Sequence, residues 1–364
     1  MQVDRLELTD FRNYRHVELQ LGPGLTAVLG RNGEGKSNLI EAVAWLATQS
    51  SFRGVPNEAL VRAGAEKAII RADARRGARD LLIEAELVAA GRNRIQINRQ
   101  RLQRARDLLG YLQVTVFSPD DLSLVKGGPG ERRRYVDDLL VAQAAKHDLL
   151  RTDLDRILRQ RTSLLKQSGG RLTAEVEATL TVWNHKLVET GEALATERER
   201  LLTELEPGLC AAYDQLAGTP AHVGVRYMAP WRHEGLAAAL AVVQKDELRR
   251  GVSLVGPHRD EIELRLGDLP ARTHASQGEQ RSLALALRLA GHRLVTEAIT
   301  APPVLLLDDV FSELDPVRAD ALMAHLPAGQ TLLTSAQGLP PGGVAELVFE
   351  VEAAPDGSAT VRGA

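Results

Sequence analysis

Val3, Leu6 and Leu8 stand among charged and polar neighbours at the start of the chain. That pattern predicts an edge strand. Leu25-Thr26-Ala27-Val28-Leu29 is apolar almost throughout and predicts a buried strand, with Gly22-Pro23-Gly24 as the turn before it. Asn38 to Leu46 has the spacing of a helix. From about Ala68 to Val116 the pattern shortens into strands, among them Leu81 to Val88 and Ile95-Gln96-Ile97, with Asn, Gly and Arg at the turns.

The period then changes. From about Glu131 to Gln215, Leu139, Leu140, Leu149, Leu150, Leu154, Ile157, Leu158, Leu164 and Leu165 recur at helical spacing. So do Leu172, Val176, Leu180, Trp183, Leu187 and Leu194, after a break at Ser168-Gly169-Gly170. This predicts an antiparallel helical arm, too short for a long coiled coil. Strands are expected again at Val252-Ser253-Leu254-Val255 and from Glu261 to Leu266. A helix from Ser276 to about Ile299, the strand Val304 to Leu307, a helix from Pro316 to Leu326 and the strand Thr331 to Thr334 complete a parallel pattern. The fold class is therefore α/β. The expected divisions are 1–130, 131–245 (the helical part) and 246–364.

Composition narrows the class. At 364 residues, 44% hydrophobic and 26% charged, the chain is an ordinary globular one of about two or three domains. Aromatics are only 4%, so Leu, Val, Ala and Ile must build the core. The single cysteine, Cys210, excludes an internal disulfide, and no Cys/His set has zinc spacing. No signal peptide and no membrane span are recognisable, which predicts a cytoplasmic protein. A net charge of −3 favours neither the presence nor the absence of a nucleic-acid partner.

The candidate chemistry sits at the two ends of the chain. Gly30-Arg31-Asn32-Gly33-Glu34-Gly35-Lys36-Ser37 is a full G-x-x-x-x-G-K-S phosphate loop, between a strand and a helix that begins with Asn38. Its backbone N–H groups can face phosphate oxygens, Lys36 can reach the β- and γ-phosphates, and Ser37 is a candidate Mg²⁺ ligand. Val304 to Leu307 runs into Asp308 and Asp309. Asp308 is placed to hold Mg²⁺ beside Ser37, and Asp309 to polarise the attacking water. Ser276-Gln277-Gly278-Glu279-Gln280-Arg281 opens a helix, and Ser276 with Glu279 forms a capping box. Its position just before the Asp308 strand gives it a second reading: Ser276 and the Gly278 N–H bind the γ-phosphate of a nucleotide held by another subunit.

A phosphate loop containing Asn32, a Ser-Gln-Gly-Glu-Gln segment and a late Leu-Asp-Asp pair resemble the ABC-type heads of SMC-like DNA-repair ATPases. More closely, the chain is similar to the RecF family of bacterial recombination mediators. Phe11-Arg12-Asn13-Tyr14, Gly30 to Ser37, Phe117 to Leu122, Gly256-Pro257-His258-Arg259-Asp260, Ala275 to Arg281 and Leu307 to Asp315 carry that likeness. It implies a P-loop ATPase head of two lobes, split at 1–130 and 246–364, with an inserted helical lid or arm. It implies ATP and Mg²⁺ as cofactors, and Arg12, Asn13 and Asn38 near the nucleotide. It implies a homodimer closed by ATP, with Ser276, Gln277, Gly278 and Glu279 acting in trans and Ser312 to Asp315 crossing the interface. DNA, RecR- and RecO-type proteins and RecA loading follow from the resemblance alone, as do roles in replication and the SOS response. Two departures matter. Asp309 stands where transporters have Glu, and Thr334-Ser335-Ala336 where many ABC ATPases carry a switch His. Both suit a slow, DNA-stimulated ATPase used as a switch. No Q-loop is evident; Gln113 and Ser118 to Asp121 are candidates.

DNA contact has the least sequence support. Arg92, Arg94, Arg99, Arg101, Arg104 and Arg106 form a run free of Asp and Glu, and Arg132-Arg133-Arg134 a second. Arginine suits phosphate oxygens, yet the first run reads equally as a solvated hairpin face and the second as partners for acids of the lid. Few aromatics lie nearby, which favours a duplex backbone over stacked single strands. His258 and Arg259 read as interface or structural residues. Two other classes compete: a mechanical ABC-type subunit, whose loop and Asp lie closer in sequence, and a nuclease-linked ATPase, which needs an acidic metal domain beyond Val351.

Overall fold

A computed structural model describes residues 1–218, 221–340 and 342–363. The chain divides into two compact units. The first comprises residues 1–121, 211–220 and 281–364, the second 122–210 and 221–280. Residues 246–280, expected with the C-terminal part of the head, thus fall in the unit that holds the arm.

The first unit contains two sheets and a helix between them. Strands β1 (Gln2–Phe11), β2 (Tyr14–Gln20), β4 (Lys67–Arg76), β5 (Arg79–Val88), β6 (Arg94–Ile97) and β7 (Gln100–Arg101) form an antiparallel sheet in the order β2-β1-β4-β5-β6-β7. β1 is therefore not an edge strand. It pairs with β2 on one side and β4 on the other. Alternation reveals which face is buried but not how many edges are paired. That partner, Tyr14–Gln20, is itself a short polar–apolar strand, closed onto β1 by the two-residue turn Arg12-Asn13.

The second sheet of this unit comprises β3 (Leu25–Leu29), β8 (Val114–Phe117), β12 (Val304–Asp308), β13 (Thr331–Ser335), β14 (Leu347–Ala353) and β15 (Ala359–Gly363), in the order β15-β14-β3-β13-β12-β8. All are parallel neighbours except β15. Helix α1 (Lys36–Thr48) packs against β1 and β4 of one sheet and β8, β12 and β13 of the other. Every residue from Leu39 to Ala47 is consequently buried, the expected condition for a helix covered on all sides. One apolar cluster joins Val3, Leu6, Leu8, Ile40, Val43, Trp45, Ile70, Leu306 and Leu332. A Leu-to-Ala change in such a core costs about 2–5 kcal/mol.

The second unit is mainly helical: α2 (Leu122–Lys126), α3 (Pro129–Gln143), α4 (His147–Gln167), most of α5 (Ala174–Ala217), α6 (Leu236–Arg250) and α7 (Ala271–His274). It also holds the small sheet β11-β10-β9, from β9 (Val223–Met228), β10 (Glu261–Leu266) and β11 (Leu269–Pro270). Helix α8 (Gln277–Ile299) begins here and continues in the first unit, followed there by α9 (Pro316–Ala324). The break at Ser168-Gly169-Gly170 falls between α4 and α5, as expected.

Val252 to Val255 forms no strand. Its polar groups are satisfied by side chains instead. Glu247 accepts the Leu254 N–H at 2.8 Å, and the Ser253 carbonyl accepts from Arg259. Buried ions support that loop. Arg161 pairs with Glu247 at 2.7 Å with both side chains fully buried, and Arg198 grips Asp137 and donates to the Pro257 carbonyl. Among the described residues, no helix is long and apolar enough to cross a membrane.

Candidate functional site

The phosphate loop joins β3 to α1, and the two candidate carboxylates lie at the end of β12. Strand β13 runs between those two strands. Its register places Thr334 beside Val28 on one side and Asp308 on the other. Loop and carboxylates thus meet at the carboxyl ends of parallel strands, where open α/β sheets form their crevices.

The loop is held from behind by the turn between β1 and β2. Asn13 Nδ2 donates to the Glu34 carbonyl at 2.9 Å, Asn38 Nδ2 to Asn13 Oδ1 at 2.8 Å, and the Tyr14 hydroxyl to the Gly35 carbonyl at 3.1 Å. Glu34 closes the loop on itself by accepting the Arg31 N–H at 2.6 Å. Gly30 has φ +149°, and a Cβ there would lie 2.4 Å from the Val351 carbonyl oxygen. Lys36 Nζ donates to the Arg31 carbonyl at 2.7 Å. Burial pulls its ammonium below the usual lysine range, against the opposing pull of Asp309, Glu34 and Asp308.

Arg12 sits in the same turn but faces elsewhere. Its Nε and Nη2 each donate to the fully buried Glu41 of α1 at 2.8 Å, and Nη1 donates to the Ala59 carbonyl at 3.0 Å. Of the pair assigned to the nucleotide, Asn13 reaches the loop, whereas Arg12 anchors α1. Ser51 also donates to Glu41.

Across the crevice, the fully buried Thr334 hydroxyl donates to Asp308 Oδ1 at 2.8 Å and accepts the Asp309 N–H at 3.0 Å. Asp309 adopts φ +49°, a left-handed conformation uncommon outside glycine. Burial lifts the Asp308 carboxyl above the usual range, offset in part by hydrogen bonds from Ser37 and Thr334 and by the charge of Arg53. Arg53 donates to Asn38 Oδ1 at 3.2 Å. Neither Arg53 nor Glu41 stands out in the sequence, since an isolated Arg or Glu carries no motif; only the fold reveals them, Glu41 buried on α1 and Arg53 reaching Asn38 of that helix.

These residues fit a nucleotide-borne Mg²⁺. Ser37 and Asp308 are adjoining oxygen donors, and Asp309 Oδ1 is buried with no hydrogen-bond partner. Among the described residues no three His, Cys, Asp or Glu side chains cluster as a metal cage. Mg²⁺ typically takes one or two protein oxygens, with phosphates and water completing its shell.

Ser276 is exposed and caps α8. Its N–H donates to Glu279 Oε2 at 2.7 Å, and its Oγ accepts the Glu279 N–H at 3.3 Å. The capping box is therefore formed, and Gln277 is exposed beside it. Gln280 is buried, donating to the Ala271 and Arg272 carbonyls. Gln113 precedes β8, at the amino end of the sheet and away from Asp308, so it is no Q-loop residue. Ser118 to Asp121 follows the carboxyl end of β8. There Asp121 accepts the Ser118 N–H and pairs with Arg288 at 2.7 Å.

The two arginine runs differ. Arg92, Arg94, Arg99, Arg101, Arg104 and Arg106 are all exposed, on β6, β7 and the loops around them. Arg94 pairs with Glu86 at 3.3 Å, in a charge lattice that also includes Lys67 and, further along the sheet, Arg71 with Glu84 and Arg75 with Asp4. In the second run, Arg132 is buried and bound to Glu261, Arg133 donates to the Asp260 carbonyl and Arg134 pairs with Glu131. Of the two readings of that run, pairing within its own unit is the one observed. His258 and Arg259 both turn to the Ser253 carbonyl, a structural use.

Comparison with known proteins gives the family and the fold. The family model described as RecF/RecN/SMC N terminal domain matches residues 2–336. A DNA replication and repair protein RecF of Streptomyces avermitilis is 45% identical over 351 residues, 92% of this chain and 93% of that protein. Its counterpart from Paenarthrobacter aurescens is 42% identical over 373 residues, 92% of this chain and 94% of that protein. A solved structure of the recombination mediator protein RecF with ATP, in the RecFOR pathway, superposes with a TM-score of 0.90 at 26% identity, covering 100% of this chain and 97% of that one. An Smc head bound to a winged-helix domain of ScpA superposes at 0.60 with 17% identity, covering 100% and 98%, a likeness of fold. The fold is thus that of an ABC-type ATPase head, and by sequence and structure together the chain belongs to the RecF family.

Proposed function

We propose that this chain is an ATP-gated, DNA-binding mediator of recombinational repair and replication. ATP binding closes two copies on duplex DNA at a gap or junction, and slow hydrolysis releases them, aiding RecA loading. The observation that carries this reading is the Asp308–Thr334–Asp309 arrangement beside the Lys36 loop. It supplies a cation and N–H groups for phosphates, and two carboxylates where metal and water would sit. Bound Mg²⁺ would neutralise phosphate charge, held by Ser37 and Asp308. Asp309 orients water, and its side chain is one methylene shorter than Glu, which suits slow turnover. The phosphate-binding set is Gly30 to Asn38, steadied by Asn13, with Arg12 acting through Glu41. Ser276, Gln277, Gly278 and Glu279 complete the site of the second copy.

The exposed arginines of the β6–β7 region supply the DNA contact in this reading, through backbone phosphates rather than base edges. RecO- and RecR-type proteins are the expected partners, in the cytoplasm. Sedimentation of the parent and of Lys36→Ala, with and without ATP and duplex DNA, tests the scheme. The parent should dimerise with ATP and bind duplex, and Lys36→Ala should do neither. ATP-dependent dimers of Lys36→Ala would refute the assigned role of Lys36, and rapid turnover by an ATP-bound monomer indifferent to DNA would sink the clamp itself. Changing Arg99, Arg101, Arg104 and Arg106 to Ala should weaken duplex binding and flatten its salt dependence.

A further inference from the structure

We infer that Thr334 is the positioning residue of the hydrolytic site, setting both carboxylates with one hydroxyl group. The assignment rests on the ATPase reading above and adds a residue to it. A threonine hydroxyl has one proton. The Asp309 N–H can only donate, so it takes a lone pair of Thr334 Oγ1, at 3.0 Å. The hydroxyl proton is then directed to Asp308 Oδ1, at 2.8 Å. One group thereby ties the Asp308 carboxylate, which Ser37 also contacts, to the backbone of Asp309.

Both need fixing. Asp309 lies at φ +49°, where an L-residue is held only if its surroundings require it. Its Oδ1 is buried with no partner of its own, so the backbone alone aims it. The Thr334 side chain is fully buried, so water cannot replace the hydroxyl. Its place is set by the β12–β13 register, which puts Thr334 directly opposite Asp308. Valine keeps this shape and removes both hydrogen bonds; serine keeps the hydroxyl and loses the methyl group.

The test compares the parent with Thr334→Val and Thr334→Ser. It reads kcat and KM for ATP, the Mg²⁺ concentration for half-maximal turnover, binding of a fluorescent ATP analogue in EDTA, and melting of the nucleotide-free protein. Thr334→Val should lower kcat roughly 10- to 100-fold and raise the Mg²⁺ requirement, as loss of an outer hydrogen bond to a metal ligand does. Analogue binding in EDTA should stay within about threefold of the parent, because the phosphate loop is untouched. Thr334→Ser should recover most of the kcat. A Thr334→Val protein with parental kcat and Mg²⁺ dependence overturns the assignment. So does a Thr334→Ser protein as defective as Thr334→Val, with both losing analogue binding and melting early, since that is a purely structural role. A parent that does not bind ATP sinks the ATP-gated reading, and this assignment with it.

Discussion

The amide of Asn13 occupies the space that a side chain on Gly35 would need. A Cβ built on Gly35 falls 2.7 Å from both Asn13 Nδ2 and Asn13 Oδ1, and Gly35 itself has φ +116°. The first antiparallel hairpin and the phosphate loop are thus fitted to each other. Gly35→Ala suffers a clash and an unfavourable backbone together, so nucleotide affinity should fall at least tenfold. Asn13→Ala removes the hydrogen bonds to Glu34 and Asn38 but leaves the loop's own backbone, and should weaken ATP by about 1–2 kcal/mol. Titration with a fluorescent ATP analogue measures both. Equal losses from the two changes would mean that Asn13 acts on more than the loop's position.

Ser276 distinguishes a site made by one chain from one shared by two. It is exposed, and its bonds are those of a helix cap. Ser276→Arg should leave ATP binding by the isolated chain intact and block ATP-dependent dimerisation. The cap lost in the change is worth about 1 kcal/mol and will not unfold the chain. Loss of nucleotide binding itself would place Ser276 in the chain's own site.

Arg161 and Glu247 form a pair without solvent contact, reinforced by Asn184, Ser253 and the Leu254 N–H. Removing one partner strands the other charge. Glu247→Gln or Arg161→Met should each cost about 3–5 kcal/mol, and joint replacement by Met and Leu should cost less than the two summed. Urea unfolding midpoints report this. A single change costing under about 1 kcal/mol would show that the pair contributes little.

This pair also shows where the sequence stops being legible. The strand–loop–helix around Lys36 and the strand ending in Asp308 could be read directly, because each is a contiguous apolar run with its chemistry attached. Arg161, Arg198, Glu41 and Glu247 look like surface residues in the sequence, yet all four are buried in ion pairs formed across long sequence separations. The loop at Val252 to Val255 reads as a strand for a different reason: its apolar run is local, but its backbone partners are nearby side chains, those of Glu247 and Arg259, and not a neighbouring strand. Thr334 marked the end of a strand, but its double hydrogen bond depends on strand order, which no local pattern carries. The six exposed arginines kept both of their sequence readings, since exposure alone does not select between solvent and DNA.

Two imidazoles withdrawn from solvent, His292 buried and His258 half-buried, shape the response to acid. Burial is the main cause that lowers His258 to about 4, with Arg259, Arg133 and Arg161 adding to it and the Ser253 carbonyl opposing it. Burial likewise lowers His292 to about 4, helped by Arg293 and the N-terminal ammonium. In the unfolded chain both titrate near 6.5. Between those values the unfolded state takes up protons that the folded state refuses, so stability is complete above about pH 6.5 and falls as pH drops toward 4. At pH 5 each histidine should cost on the order of 2 kcal/mol. Asp308 and Asp260, whose carboxyls are raised by burial, have the opposite sign: their folded forms bind protons more readily, which tempers the loss at the acid end. Melting temperatures at pH 7.5 and pH 5 should therefore differ markedly in the parent. His258→Gln and His292→Gln should each recover part of that difference, and the double variant most of it. A double variant as acid-sensitive as the parent would move the effect to other groups.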